Sequence, residues 1–307
     1  MTSEALSFRF HHPSRLRRSV LTVPAINERA LQKVTGLDCD AVIFDLEDSV
    51  AENRKADARY KLLEFLKNSD LRHRECIIRI NATETPHFRE DMKLVLAAAP
   101  DAVLLPKVEE PVTVQDVADS LGEHAAAEGL RIWAMIETPR GILNAASIAS
   151  SGRTSDSRLD AFVVGLNDLR KATGIPAAPG RTYLVPYLMQ IVLAARAYGL
   201  DVLDSVSNDF RDMEAFAAEC AQGRAMGFDG KMLIHPAQIE PSNHYFGPSA
   251  AAIAEARLVA DAFADPAHAG LNVINIDGRM IERLHAEEAT RLLAKVALLT
   301  ARKDKHP

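Results

Sequence analysis

An α/β fold, a (β/α)8 barrel of the TIM type carrying a C-terminal helical extension, is what the sequence predicts, on two observations. Eight short apolar runs recur along the chain, and segments with helical periodicity separate them. The runs are SVLTV from 19, AVIF from 41, CIIRI from 76, AVLL from 102, IWAMI from 132, AFVV from 161, DVLD from 201 and KMLI from 231. Each is nearly continuously apolar, as expected of parallel strands covered on both faces. Between them lie helix-forming stretches such as ERALQKV, ADARYKLLEFLKN, FREDMKLVLAAA and LVPYLMQIVLAARAYG. Strand and helix alternating in this way close a barrel. A doubly wound sheet is the rival, but no GxGxxG follows the first run, and the P-loop pattern fails around AMGFDGKM.

Past the eighth run the pattern changes. IHPAQIEPSNHYFGPS reads as a long turn-rich connection, followed by a helix from 249 to 264, a turn at Asp277-Gly278 and a last long helix. The organisation expected is a barrel over 1–248 and an extension over 249–307. The last helix is amphipathic, with Ile281, Leu284, Ala289, Leu292, Leu293 and Val296 roughly on one side, so it must pack on something. Its own barrel and a neighbouring subunit are both open as partners.

Composition narrows the class. With 307 residues, 48% hydrophobic, the chain can bury a sizeable core. A net charge of -6 and the lack of a dense basic stripe argue against nucleic acid as a partner, although local arginines can still hold an anionic substrate. Cys39, Cys76 and Cys220 form no CxxC pair, which fits a reducing cytoplasm better than a disulfide framework or a zinc knuckle. The N-terminal MTSEALSFRFHHPSRLRR has no apolar h-region. The apolar stretch after Arg17-Arg18 is too short for an export signal, and no long apolar run follows, so no membrane segment is expected.

In a barrel of this kind the chemistry lies at the C-terminal ends of the strands. Those positions hold Asp45, Glu47 and Asp48; Arg79 and Asn81; Pro106 and Lys107; Glu137 and Thr138; Asn167 and Asp168; Asp204 and Ser205; and His235 and Gln238. Glu137, in RIWAMIETPRG, ends a run that reads as a buried strand, and a buried carboxylate needs a partner. Asp168 comes from the adjacent strand. Two carboxylates with the remaining positions left to water and substrate suit Mg²⁺; equally, the two could be strand-end caps. Arg79 suits bidentate recognition of a substrate carboxylate, or a salt bridge to the acidic DLED of the second strand, or both. Gly165 reads as a place where backbone near Asp168 could approach a ligand closely.

RRSVLTVPA, VIFDLEDSV, IIRIN, LLPKVE, IETPRGILNA, GLNDLRKATG and GFDGKMLIHPAQI together resemble the citrate lyase β-subunit-like branch of the HpcH/HpaI aldolase superfamily, over about residues 17 to 300. The resemblance implies a Mg²⁺-dependent carbon-carbon lyase, usually a homotrimer or a hexamer of trimers, acting on an acyl-CoA substrate such as a citryl, citramalyl or malyl thioester. It places the metal ligands on Glu137 and Asp168, the carboxylate-binding arginine on Arg79, and acids near the metal waters on Glu47 and Asp48. Arg18 is the residue assigned to coenzyme A phosphates, or else lies on the surface beside the first strand. The family's tail motif, Asp-Gly-Lys-Met-Ile-Asp, reads DGRMIE here, so the acid expected to act in a neighbouring subunit's site is Glu282. The first-strand motif, commonly Val-Pro-Gly, reads Val23-Pro24-Ala25. The reaction implied is retro-Claisen cleavage to acetyl-CoA and a 2-oxo acid, with an aldolase on free 4-hydroxy-2-oxo acids or a non-catalytic binding subunit as alternatives.

Overall fold

A computed structural model describes residues 15–305 apart from 125, 127, 155–156 and 178–179. The N-terminal stretch inspected for a targeting signal therefore lies almost wholly outside the described residues. By its contacts the chain divides into two compact units, Arg17–Phe246 and a second containing Gly247–Pro307.

In the first unit eight parallel strands close a barrel in sequence order. They are β1 (Ser19–Pro24), β2 (Ala41–Asp45), β3 (Glu75–Arg79), β4 (Ala102–Leu105), β5 (Arg131–Ile136), β6 (Leu159–Val164), β7 (Asp201–Asp204) and β8 (Gly230–Leu233). All eight apolar runs fall on them, and β8 pairs back onto β1, Val20 opposite Met232. Between them run α1 (Glu28–Val34), α2 (Lys55–Asn68), α3 (Phe88–Ala98), α4 (Pro111–Glu123), α5 (Pro139–Leu143), α6 (Ala145–Ser151), α7 (Leu166–Thr173), α8 (Val185–Tyr198) and α9 (Met213–Met226).

The strands read as continuous apolar runs because they serve two cores. Alternate residues point inward, so Val20, Ile43, Ile77, Leu104, Trp133, Met135, Val163, Leu203 and Met232 fill the barrel. Their sequence neighbours, among them Val42, Phe44, Ile78, Val103, Ala134, Phe162 and Val202, pack outward against the helices. The N-terminal end of the barrel is plugged by Arg17. Its guanidinium lies 4.7 Å from the Trp133 ring and pairs with Glu75 at 2.7 Å, with Asp201 at 2.8 Å and with Asp160. A buried cation is tolerable when it is so fully partnered.

The stretch after β8 is not the turn-rich connection expected. His235 caps a 3₁₀ turn over Pro236–Gln238, and α10 (Ile239–Phe246) follows at once. Pro241 does not break it, because it stands in the first turn, where the missing N–H has no helical acceptor to lose.

The second unit holds α11 (Ala250–Ala264), capped by Ser249, then an antiparallel hairpin and α12 (Arg283–Lys305). The hairpin pairs β9 (Val273–Ile276) with β10 (Arg279–Glu282) and turns on Asp277 and Gly278 at φ 51° and 80°. Its small core is Ala256, Val259, Ile274, Ile281 and Ala289, with Leu292 and Leu293 packed against it. Leu284, expected on that face, is 49% exposed. Among the described residues no helix is long and apolar enough to cross a membrane.

Candidate active site

The DLED loop after β2 is built around Asp45. Its carboxylate accepts the N–H of Glu47 at 2.9 Å and of Ser49 at 3.1 Å, which curls the loop over the strand end. Arg79, one strand over, closes a two-armed ion pair on the same group, Nε and Nη2 each 2.6 Å from a different Asp45 oxygen. Burial alone would raise the Asp45 carboxyl, but Arg79 outweighs it and holds the group below the usual carboxylate range. Buried Lys55 donates to the carbonyls of Leu46 and Glu47 at 2.9 and 2.8 Å, and Asn81 donates to Leu46 at 3.2 Å. The loop is thus fixed from beneath.

Arg79 keeps one arm for the barrel mouth. Its Nη1 lies 3.1 Å from Glu47 and 3.7 Å from Asp48. The contacts give the salt-bridge reading of Arg79: Asp45 aligns the fork, and the remaining nitrogen faces the acids at the rim. Glu47 is buried and Asp48 is exposed; burial pushes the Glu47 carboxyl up, against the pull of Arg79 and Lys107.

Glu137 stands just past β5 and is 1% exposed. Its Oε1 accepts the backbone N–H of Lys107 at 2.8 Å. Burial, reinforced by the neighbouring carboxylates of Glu47 and Asp168, pushes its carboxyl up to about 8. Asp168, half-buried in the first turn of α7, belongs to the same field. Gly165 is needed for a different reason from the one expected. A Cβ there would lie 2.3 Å from Glu137 Oε2 and 2.5 Å from its Cβ, so the missing side chain makes room for Glu137 itself.

These residues fit a hard divalent cation. Glu137 is a buried carboxylate whose ionised form the protein disfavours, and a cation beside it would reverse that balance. Glu137 and Asp168 offer oxygen donors only. Among the described residues no three His, Cys, Asp or Glu gather to form a metal cage. An ion held by these two carboxylates completes its shell with water and substrate oxygens, which is the habit of Mg²⁺.

Sequence reading placed Lys107 at a strand end but gave it no role in the site. Its ammonium hydrogen-bonds Glu47 and lies 4.0 Å from Asp48, and that pairing raises the lysine's pKa despite burial. Its strand-end position and the polar step in LLPKVE were the signals available.

Of the two remaining expected residues, one lies at the other end of the barrel and one belongs to the second unit. Arg18 precedes β1, at the N-terminal end of the strands, and grips Asp40 through Nε and Nη2 at 2.9 and 2.8 Å. That pair holds the guanidinium at the end of the barrel opposite Glu137. Glu282 ends β10 in the second unit, where it is exposed and its N–H donates to His285 at 2.9 Å.

A closed parallel barrel with paired carboxylates and an arginine at its C-terminal mouth defines a (β/α)8 enzyme. The profile of the HpcH/HpaI aldolase/citrate lyase family matches residues 18–236, and the chain belongs to that family, a carbon-carbon lyase by membership. It is 43% identical to (3S)-malyl-CoA thioesterase of Cereibacter sphaeroides over 290 residues, 94% of this chain and 98% of that one. Human mitochondrial citramalyl-CoA lyase is 32% identical over 96% of this chain and 89% of its own. Among solved structures, CitE of Mycobacterium tuberculosis in complex with magnesium, acetoacetate and coenzyme A superposes with a TM-score of 0.70. It is 29% identical and covers 93% of this chain and 98% of that one.

Proposed function

We propose that this chain cleaves a 3-hydroxyacyl-CoA thioester to acetyl-CoA and a 2-oxo acid, with Mg²⁺ held by Glu137 and Asp168. The observation that carries the reading is Glu137, buried and pushed up to about 8 beside Asp168 at the mouth of a barrel. When bound, Mg²⁺ would supply Lewis acidity toward a substrate hydroxyl and its neighbouring carboxylate.

The chain's own residues supply binding and proton handling. Arg79, aligned by Asp45, orients the substrate carboxylate with the arm that faces the mouth. Cleavage removes the hydroxyl proton, breaks the bond between the hydroxyl-bearing carbon and the carbon next to the thioester, and leaves a thioester enolate that takes up a proton. Glu282 of a neighbouring copy, in a trimer or a hexamer of trimers, is the acid assigned to that last step.

Malyl, citramalyl and citryl groups share the hydroxyl, the carboxylate and the thioester, and differ in hydrogen, methyl or carboxymethyl on the hydroxyl carbon. The names of the relatives above favour malyl-CoA and citramalyl-CoA. They also favour a second reading, hydrolysis of malyl-CoA, because the relative at 43% identity is named as a thioesterase. Product analysis with the three thioesters, with and without EDTA, separates these readings. Acetyl-CoA with glyoxylate, pyruvate or oxaloacetate identifies the lyase and its acyl group. Free CoA with the intact hydroxy acid identifies hydrolysis; turnover of free 4-hydroxy-2-oxo acids alone would turn the reading to the aldolase.

A further inference from the structure

Lys107 occupies a backbone conformation that its residue type does not favour. Its φ is 51°, in the left-handed region that glycine enters freely and other L residues enter at a cost. Such strain persists only where the surroundings over-determine it, and here they do. Val108 N–H donates to Met135 at 3.1 Å, and Asn144 Nδ2 donates to the carbonyl of Glu109 at 2.8 Å. Gly141 admits the Val108 carbonyl, which would stand 2.5 Å from any Cβ at that position. The segment after β4 is therefore held by the segment after β5, the one that carries Glu137.

The left-handed turn has a consequence at both ends of the residue. With Val108 clamped, moving Lys107 to a negative φ rotates the preceding peptide and swings its N–H away from Glu137, the acceptor it reaches at 2.8 Å. Glycine would satisfy the backbone at no cost, so the lysine is explained by its side chain, whose ammonium hydrogen-bonds Glu47.

We propose that Lys107 is a positioning residue with two separable functions: its backbone amide sets the orientation of Glu137, and its ammonium anchors Glu47 at the barrel mouth. The inference rests on Glu137 being a metal carboxylate. Partners of metal ligands commonly matter nearly as much as the ligands themselves.

The test uses the full chain with Lys107→Gly, Lys107→Met, Lys107→Arg and Lys107→Val, each measured for Mg²⁺ affinity by calorimetry and for kcat and KM on the best thioester. Lys107→Gly and Lys107→Met keep the metal Kd within about threefold and lose tenfold or more in kcat, because the amide stays and the ammonium is gone. Lys107→Arg recovers most of that kcat. Lys107→Val, β-branched and excluded from a φ of 51°, weakens Mg²⁺ by about tenfold or more. Should it fail to fold, Lys107→Thr, β-branched but smaller, takes its place. Wild-type metal affinity in the valine or threonine variant overturns the amide function, and wild-type kcat in the methionine variant overturns the ammonium function. A wild-type protein that binds Mg²⁺ but cleaves no thioester sinks the functional reading alone, and the affinity arms still decide the amide. A wild type that does not bind Mg²⁺ overturns both.

Discussion

Gly165 lies against Glu137 so closely that a single methyl group at its α-carbon would stand 2.3 Å from the Glu137 carboxylate oxygen and 2.5 Å from its Cβ. The second contact matters more than the first. A flexible carboxylate could swing aside, but the Glu137 Cβ is fixed at the end of β5. The φ of Gly165 is -112°, open to any residue, so space alone reserves the position for glycine.

Gly165→Ala therefore displaces Glu137 without asking the backbone for a forbidden angle. The variant is expected to stay folded, losing about 1–3 kcal/mol to overpacking. Its Mg²⁺ affinity is expected to fall by about 10- to 100-fold, as when a ligand's support is removed. Calorimetric titration beside a urea melt checks both, and wild-type affinity in a folded variant would show that the carboxylate does not need this space.

Glu137 also sets a pH dependence. Its folded carboxyl is raised to about 8 from an ordinary value of 4.5, so in metal-free protein the folded state holds a proton that the unfolded state has released. Stability contributed by that proton is complete below about 4.5 and is lost as pH rises toward about 8. Glu137→Gln cannot ionise. In EDTA its melting temperature should exceed that of the wild type near pH 8 and converge with it near pH 4.5, while thioester cleavage is abolished. Mg²⁺ should stabilise the wild type more at the upper pH than at the lower, and leave the variant unmoved. A variant no more stable than the wild type at the upper pH would mean that Glu137 is not under strain from its burial.

Much of this site was legible in the sequence, and the reasons are specific. Eight strands serve two cores each, so they print as continuous apolar runs, and the rule that chemistry follows strand ends leads directly to Arg79, Glu137 and Asp168. The same rule speaks against Arg18, which precedes its strand. Lys107 stood among the strand ends without a role, because its contribution begins with a backbone angle, which a sequence does not display. Gly165 was noticed but misread, since the atom that needs the space lies on the adjacent strand. Pro236, Pro241 and Gly247 suggest turns around α10, although two of them occupy first-turn positions that prolines fill without penalty.

Asp45 and Arg79 form a second linked pair whose halves should behave differently. Asp45→Ala leaves a buried guanidinium facing the gap and removes the acceptor that curls the DLED loop, at a cost of about 3–5 kcal/mol. Arg79→Lys keeps a charge but cannot span both Asp45 oxygens, and a point charge loses the planar alignment of the arm that faces the mouth. Denaturant titration should find the first variant the less stable. Kinetics should find the second folded, with a raised KM for the thioester and a lower kcat. Equal kinetics in Arg79→Lys and wild type would remove Arg79 from substrate binding.

Glu282 permits a test that needs no knowledge of how the two units meet. If Glu282 serves the site of a neighbouring copy, Glu137→Gln and Glu282→Gln are each inactive as pure proteins, because every site lacks one of the two groups. Co-refolding them in equal amounts pairs an intact Glu137 on one chain with an intact Glu282 on the next in about one quarter of sites, by random assembly of a cyclic oligomer. Activity should reappear at about that fraction of the wild type per chain. Were Glu282 to act within its own chain, no mixed oligomer would contain a complete site and the mixture would stay silent. Were it idle, Glu282→Gln alone would turn over at the wild-type rate. The three outcomes are separated by one activity measurement on the two pure variants and their mixture.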